Sequence, residues 1–403
     1  MLRLPFRRSA RVCGIIIDIG SGSVGACVVC SEDQSERPSV LYAHREFMPV
    51  RSNPSETERI RLMRHTLFTV LMEVAQKGSA ALRARGIKAP FSRVMVSCSA
   101  PWSHTVTQVI HFARPEGFTV TPALIDEIIA QAYAEEQKHA PHADSELAKA
   151  GMQAVERSIV DMSLNGYSVE DPYGKMATEL DVTHLRGFVP ESICTALADI
   201  REHTLSDMPT HIHTSALILY CVLRDLYPSI DDALIVEVTG EATECSLMHN
   251  DVLYEAAHIP RGMYTLTRDV AAHFKTIPEE ARTYLRAYKQ DALISAHEKA
   301  LQGIQKKYID ALACTFDLLA VQYALPHTVF FVIEEDMQPF FAEAIQAALA
   351  GKSGIDERTL IPITPAAAAR FADTAEMHKQ DPRLALMARF FHKLHACGEI
   401  TNR

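Results

Sequence analysis

Apolar residues along the chain come in short continuous runs separated by amphipathic stretches, an alternation of buried strands and one-sided helices that builds α/β proteins. Val12 to Ile19 reads as a strand that carries Asp18 near its end, Gly20-Ser21-Gly22-Ser23 as a tight turn, and Gly25 to Cys30 as the returning strand of a hairpin. From Glu56 to about Arg85 the positions Ile60, Leu62, Met63, Leu67, Val70, Leu71 and Val74 form a helical stripe, and Val94 to Ser99 is a further strand. The texture changes at Arg114. Thr121-Pro122 starts an amphipathic helix that runs through Tyr133, and the polar segment Glu135 to Asp144 reads as a surface loop. Two strand-like runs, Ser158 to Leu164 and Glu179 to Phe188, flank the turn residues Asn165-Gly166-Tyr167 and Asp171-Pro172-Tyr173-Gly174, which predicts a small α+β subdomain.

A helix over Thr214 to Tyr227 leads into a second strand, Ala233 to Val238, again with an acid near its end, Glu237. The turn Thr239-Gly240-Glu241-Ala242 follows, then strands near Cys245 to Met248 and Leu253 to Ile259. Helices fill most of Leu266 to Leu325, a strand covers Thr328 to Ile333, and the rest is helical apart from an apolar piece at Leu360 to Ile363. The chain therefore has two halves, each opening with strand, acid, glycine-bearing turn and strand.

At 403 residues the chain suits two or more domains. Its net charge of −10 with scattered basic residues builds no positive stripe, which excludes nucleic acid as a partner. No run approaches the roughly 18 apolar residues of a membrane span, and Asp18 interrupts Val12 to Ile17 too early for a signal-peptide core. Cys13, Cys98 and Cys314 lie in apolar runs, as thiols do that behave as small buried hydrophobes, and nine cysteines are an odd number; both fit a reducing cytoplasm. Cys27 and Cys30 have the spacing of a zinc half-site, but on a strand they face opposite ways, so no metal is expected. His203, His211 and His213 lack a spaced acidic or cysteine partner and read as surface or lightly packed residues. Glu135-Glu136 and Glu279-Glu280 read as solvated helix faces rather than acid/base pairs. Ser21 and Ser23 have no histidine at a nucleophile's spacing, so no catalytic residue is assigned.

A hairpin tipped with Gly and Ser can cradle phosphate oxygens with backbone N–H groups and hydroxyls, and an acid at the strand end can hold Mg²⁺ through water. With two such hairpins at matching places, Ile15-Ile16-Ile17-Asp18-Ile19-Gly20-Ser21 and Glu237 to Ala242, the chain resembles the actin-like ATPase superfamily, within it the bacterial FtsA/PilM family. Similar to FtsA are Ile159 to Leu180, with Tyr167 and Asp171-Pro172-Tyr173-Gly174-Lys175-Met176, then Thr214-Ser215-Ala216 and the stretch Ile259-Pro260-Arg261-Gly262-Met263 to Ala271. Phe6-Arg7-Arg8 close to Asp18-Ile19-Gly20-Ser21 is more like PilM. The resemblance implies an α/β, ribonuclease H-like duplicated two-lobe actin-like fold with an inserted small α+β (SHS2-like) subdomain. Residues 1–113, 191–228 and 365–403 would form the first lobe, 114–190 the insert and 229–364 the second lobe, with the final helix, Leu384 to Leu394, closing the first.

The same resemblance implies ATP and Mg²⁺ as cofactors, held by Asp18, Gly20, Ser21, Gly22, Ser23, Glu237, Thr239 and Gly240. Three elements depart from the family pattern. The second turn keeps one glycine, and Glu241 at its tip would face the phosphates and repel them. Glu334-Glu335 stands where the family has two adenosine-binding glycines, and Arg282 and Leu285 stand where it has a glutamate and a lysine. ATP is therefore expected to bind weakly or not at all. The function implied is a cytoplasmic scaffold at the inner membrane face. The closer resemblance is to FtsA, with PilM next, so its partners are expected to be proteins of the division machinery, with a type IV pilus platform in the PilM manner as the alternative, a homo-polymer or dimer as its assembled form and membrane contact peripheral. An active ATPase is the enzymatic alternative. A sugar kinase or chaperone of the superfamily is disfavoured by the FtsA-type insert.

Overall fold

The computed structural model describes residues 11–32, 35–87, 91–139, 151–169, 171–204, 208–288, 294–321, 323–352, 358–374 and 381–396. Phe6-Arg7-Arg8 and the end of the Glu135 to Asp144 segment lie outside them. In chain order the elements are β1 (Arg11–Ile19), β2 (Ser23–Glu32), β3 (Ser39–Phe47), α1 (Glu56–Glu73), a π-helical turn (Val74–Gly78), α2 (Ser79–Ala84), β4 (Arg93–Cys98), β5 (His104–Thr119), α3 (Pro122–His139), β6 (Met152–Leu164), β7 (Tyr167–Ser168), β8 (Met176–Pro190), α4 (Glu191–Thr204), β9 (Thr210–Thr214) and α5 (Ser215–Leu226). They continue as β10 (Ala233–Val238), β11 (Thr243–His249), β12 (Val252–Ile259), α6 (Met263–Phe274), α7 (Pro278–Arg286), α8 (Ser295–Leu319), β13 (Thr328–Val332), α9 (Gln338–Leu349), β14 (Thr359–Pro362), α10 (Pro365–Phe371) and α11 (Pro382–Ala396).

The two halves have the same sheet. The first runs β3-β2-β1-β4-β9 and the second β12-β11-β10-β13-β14. In each, the leading strand pairs antiparallel with its hairpin partner and parallel with the strand that returns after the helices. Both leading strands are buried along nearly their whole length, which is why they read as continuous apolar runs rather than as alternation. On one face of the first sheet, α1 lays down Met63, Leu67, Val70 and Leu71. Ser55 caps that helix by accepting the Glu58 N–H at 3.2 Å. The π-helical turn brings Gly78 against β2, where a Cβ would stand 2.4 Å from Val28. On the opposite faces the two sheets share one core: Ile16 and Met95 of the first and Ile235 and Phe330 of the second pack with Leu217 to Leu223 of α5 and Leu384 to Phe391 of α11.

The third sheet, β5-β8-β6-β7, is antiparallel and carries α3 on one face over Ile110, Phe118, Leu180 and Val182. Asn165 and Gly166 turn its hairpin with positive φ angles of 51° and 83°, and the Asn165 side-chain oxygen accepts the Thr178 and Glu179 N–H groups, each at 3.0 Å. Glu156 on β6 fastens this sheet to the first half. One carboxylate oxygen lies 2.5 Å from His213 Nδ1, and the other accepts the Thr214 N–H at 3.2 Å.

The structure departs from the sequence reading at several places. The third sheet begins at His104, ahead of Arg114, because a register irregularity between Ala113 and Phe118 absorbs Pro115 and Gly117 without ending the strand. The segment read as a loop from Glu135 continues α3 to His139, since its residues are good helix formers with no breaker among them. His213 is buried and bonded to Glu156 rather than lightly packed; the side chain of His203 lies outside the described residues. Cys13 is not a free thiol: it stands opposite Cys30 across the β1–β2 pair and is bonded to it, so cysteine usage no longer argues for a reducing compartment. No helix among the described residues is long and apolar enough to cross a membrane.

The Cys13–Cys30 bond closes a segment of 17 residues that carries the first hairpin. Replacing Cys30 by Ala should lower the unfolding free energy by about 2–4 kcal/mol, read by urea denaturation. A variant as stable as the parent would show that strand pairing alone holds the hairpin.

Candidate functional site

Both glycine-bearing turns lie at the ends of buried leading strands, and the shared core beneath them brings the two tips together. The contact is direct. A Cβ on Gly240 would stand 2.6 Å from Gly22 Cα, and one on Gly22 would stand 2.9 Å from Gly240 Cα, so only two glycines allow the backbones to meet. A hydrogen-bond chain crosses the junction. The Glu241 N–H donates to Ser21 Oγ at 2.8 Å, and Ser21 Oγ lies 2.9 Å from Thr239 Oγ1. Thr239 Oγ1 in turn lies 2.9 Å from the carbonyl oxygens of Ala100 and Ala242, one of which takes its proton, so Ser21 is the donor to Thr239.

The N-terminus of α6, which could otherwise receive an anion, is filled by the second turn itself. Met263 N–H and Tyr264 N–H donate to the Thr239 and Gly240 carbonyls at 2.9 and 2.6 Å. The Tyr264 hydroxyl lies 2.7 Å from the carbonyls of both Gly22 and Met48, tying α6 to the first half; burial, first of all, pushes its pKa up.

Asp18, Glu237, Glu241 and Glu334 are each taken by an arginine. Asp18, 1% exposed, receives Arg45 Nη2 at 2.6 Å, while Arg45 Nε reaches Asp381 at 2.6 Å and Arg45 Nη1 reaches Ser23 Oγ at 2.9 Å. Burial alone would raise Asp381, but Arg45 outweighs it and holds that carboxyl below its ordinary range. Glu237, 2% exposed, receives Arg383 Nη1 and, at 3.3 Å, Ser99 Oγ; Arg383 Nη2 donates to Val238 O at 2.8 Å. Glu241 is held at both oxygens by Arg268, at 2.9 and 2.5 Å, so the tip carboxylate expected to face phosphates turns to a guanidinium instead. Glu334 receives Arg282 Nη2 at 2.7 Å, and the Arg282 guanidinium lies 6.0 Å from the Phe47 ring. Glu335 is exposed and Leu285 is buried in the core of the second half.

Glu244, which faces Glu237 across β10–β11, has no arginine. It is buried, its Oε2 has no partner among the described residues, and burial followed by the charge of Glu237 raises its pKa to about 8.

Of the sequence-predicted residues, Gly22, Ser21, Thr239 and Gly240 meet at the junction. Asp18, Ser23 and Glu237 surround it through arginines, and Gly20 closes its own turn by donating to Ser23 O at 3.0 Å. The phosphate cradle that the resemblance implies is filled by protein, so these residues do not fit ATP–Mg²⁺ in this arrangement. Sequence reasoning missed Arg45, Arg268, Tyr264, Asp381 and Arg383, none of which lies within a turn motif; for the three arginines, charge opposite in sign to the buried acids was the signal available. Among the described residues no group of three His, Cys, Asp or Glu side chains is placed to hold a metal. An apolar cavity of about 140 Å³, lined by Ile17, Leu71, Val96, Leu197 and Ile212, lies inside the first half between its sheet, α1 and α4.

No family model matches the chain, and no curated protein matches it in sequence. Solved structures do match in fold. A PilM–PilN type IV pilus biogenesis complex matches at 12% identity over 95% of this chain and 99% of that one, with a TM-score of 0.58. Ethanolamine utilization protein EutJ from Carboxydothermus hydrogenoformans matches at 10% identity over 89% and 87%, TM-score 0.43. A Bacteroides thetaiotaomicron VPI-5482 protein with an actin-like ATPase fold and unknown function matches at 8% over 96% and 98%, TM-score 0.40. With its duplicated sheet order, the chain has the actin-like ATPase fold.

Two tests follow from this geometry. Gly240→Ala drives a methyl group into the backbone of Gly22 and should cost about 1–3 kcal/mol in denaturant unfolding; an unchanged midpoint would mean that the tips are not in contact. Glu244 keeps its proton in the folded chain up to about pH 8 but loses it near 4.5 when unfolded, so the pH-dependent cost of its burial is absent below about 4.5 and grows up to about 8. Glu244→Gln should therefore match the parent near pH 4.5 and exceed it in Tm by a margin that widens toward pH 8.

Proposed function

We propose that this chain is an actin-like scaffold of the PilM and FtsA kind that organises protein partners without turning over ATP. The observation that carries this reading is the direct contact of the two turns at Gly22 and Gly240, with Asp18, Glu237, Glu241 and Glu334 each engaged by an arginine. A nucleotide triphosphate would have to part the tips, break the Ser21–Thr239 chain and displace these ion pairs. Anionic phosphates also gain nothing from guanidinium groups already neutralised by carboxylates.

The partner class we favour is a type IV pilus platform protein, because the PilM–PilN structure matches over nearly the full length of both chains. A division scaffold is the second reading. It rests on the FtsA-like stretches Asp171-Pro172-Tyr173-Gly174-Lys175-Met176 and Ile259 to Ala271. In either case the first lobe consists of the β1–β4 region with residues 191–228 and 365–403, the second lobe is 229–364, and the insert runs from His104 to Pro190. The site of action would be the inner face of the membrane, reached through the partner.

Calorimetric titration with ATP and Mg²⁺, paired with a phosphate-release assay, tests the reading. No saturable heat and no release above blank are expected; micromolar affinity with measurable hydrolysis would replace the scaffold by an ATPase. Co-purification from the native cell should recover a pilus platform protein, whereas recovery of a tubulin-like division protein would select the second reading.

A further inference from the structure

We propose that Asp381-Pro382-Arg383, the segment that opens α11, is a built-in clasp that closes the two lobes in the place of a bound ligand. The inference rests on the reading that the cleft takes no nucleotide, and it names what holds the cleft instead. Asp381 reaches the first sheet: Arg45 on β3 donates to it at 2.6 Å, and Arg45 holds Asp18 of β1 at the same distance. Arg383 reaches the second sheet, with one nitrogen on the Glu237 carboxylate of β10 and another 2.8 Å from the Val238 carbonyl. One short segment thus connects the terminal acid of each leading strand.

The local structure explains how it can. Asp381 caps α11 by accepting the Leu384 N–H at 3.1 Å, and Pro382 occupies the first helical position with its φ already fixed. Residues two apart at a helix start point roughly 200° apart around the axis, which sends the carboxylate toward one lobe and the guanidinium toward the other. The rest of α11 is packed between the sheets through Leu384, Leu386, Phe390 and Phe391, so the clasp is anchored on the shared core and cannot turn away independently. A guanidinium on Glu237 supplies the positive charge that a buried acid requires, and it is covalently part of the chain. Closure is then a property of the protein at every nucleotide concentration.

The test is Arg383→Ala in the full chain, followed by hydrogen exchange at the amides of Gly20 to Ser23 and Thr239 to Ala242. Those amides should exchange about tenfold or more faster than in the parent. Free guanidinium at a low, non-denaturing concentration should restore protection, whereas sodium chloride at equal ionic strength should not. Tips that stay as protected as in the parent, or that loosen without responding to guanidinium, would overturn the clasp. Should Arg383→Ala fail to fold, Glu237→Gln keeps the shape of the acid while removing its charge and is read in the same way: faster exchange supports the clasp, and parental exchange refutes it. ATP binding by the parent would instead overturn the scaffold reading, so the two failures are distinct.

Discussion

The contact between Gly22 and Gly240 is the constraint on which the rest of the structure depends. Two backbones can approach so closely only where neither carries a Cβ, and once they do, the groups at the tips themselves are satisfied within the protein. The Ser21–Thr239 hydroxyl chain, the α6 amides on the second turn and the Tyr264 hydroxyl on the first are consequences of that approach. In an actin-like fold the two turns belong to separate halves, so this contact also determines how the halves sit on one another.

The arginines around the contact have a different role. Burying a carboxylate with its cation is not a strong source of stability, because desolvation of both groups offsets most of their attraction. Removing one partner is costly, however, and this makes such pairs effective at selecting one arrangement over its alternatives. Glu237 would be an unpaired charge if the α11 segment moved away, whereas Asp18, Glu241 and Glu334 are paired within their own halves and fix the side chains on each side of the junction. Glu244 shows the same logic from the other side: lacking an arginine and facing Glu237, it keeps a proton instead.

The inserted sheet is joined to this frame by apolar contacts, with Leu185 and Val189 in the cores of the two halves, and by a buried polar bond, where Glu156 binds His213 and the Thr214 amide at the end of β9. That bond lies close to the helix that supports both sheets, so the insert is fixed relative to the core while much of its surface, including Tyr167 and Met176, stays exposed.

By itself the sequence determined the duplicated plan. Strand, acid, turn and strand are set by residues adjacent in the chain, and their apolar runs and Gly/Ser turns are legible without any tertiary information. It also marked Glu241, Glu334 and the single glycine of the second turn as departures from the phosphate- and adenosine-binding pattern. What it could not provide was the fate of those carboxylates. Asp18 and Glu237 find their cations through Arg45, 27 residues away, and Arg383, 146 residues away, and Cys13 finds Cys30 only because β1 and β2 pair in one register. β5 was hidden for a related reason, since its strand continues past Pro115 and Gly117 only by pairing with β8. Periodicity is written locally, whereas charge pairing and backbone contact depend on which distant segments the shared core brings within a few ångströms; only the tertiary structure decides that.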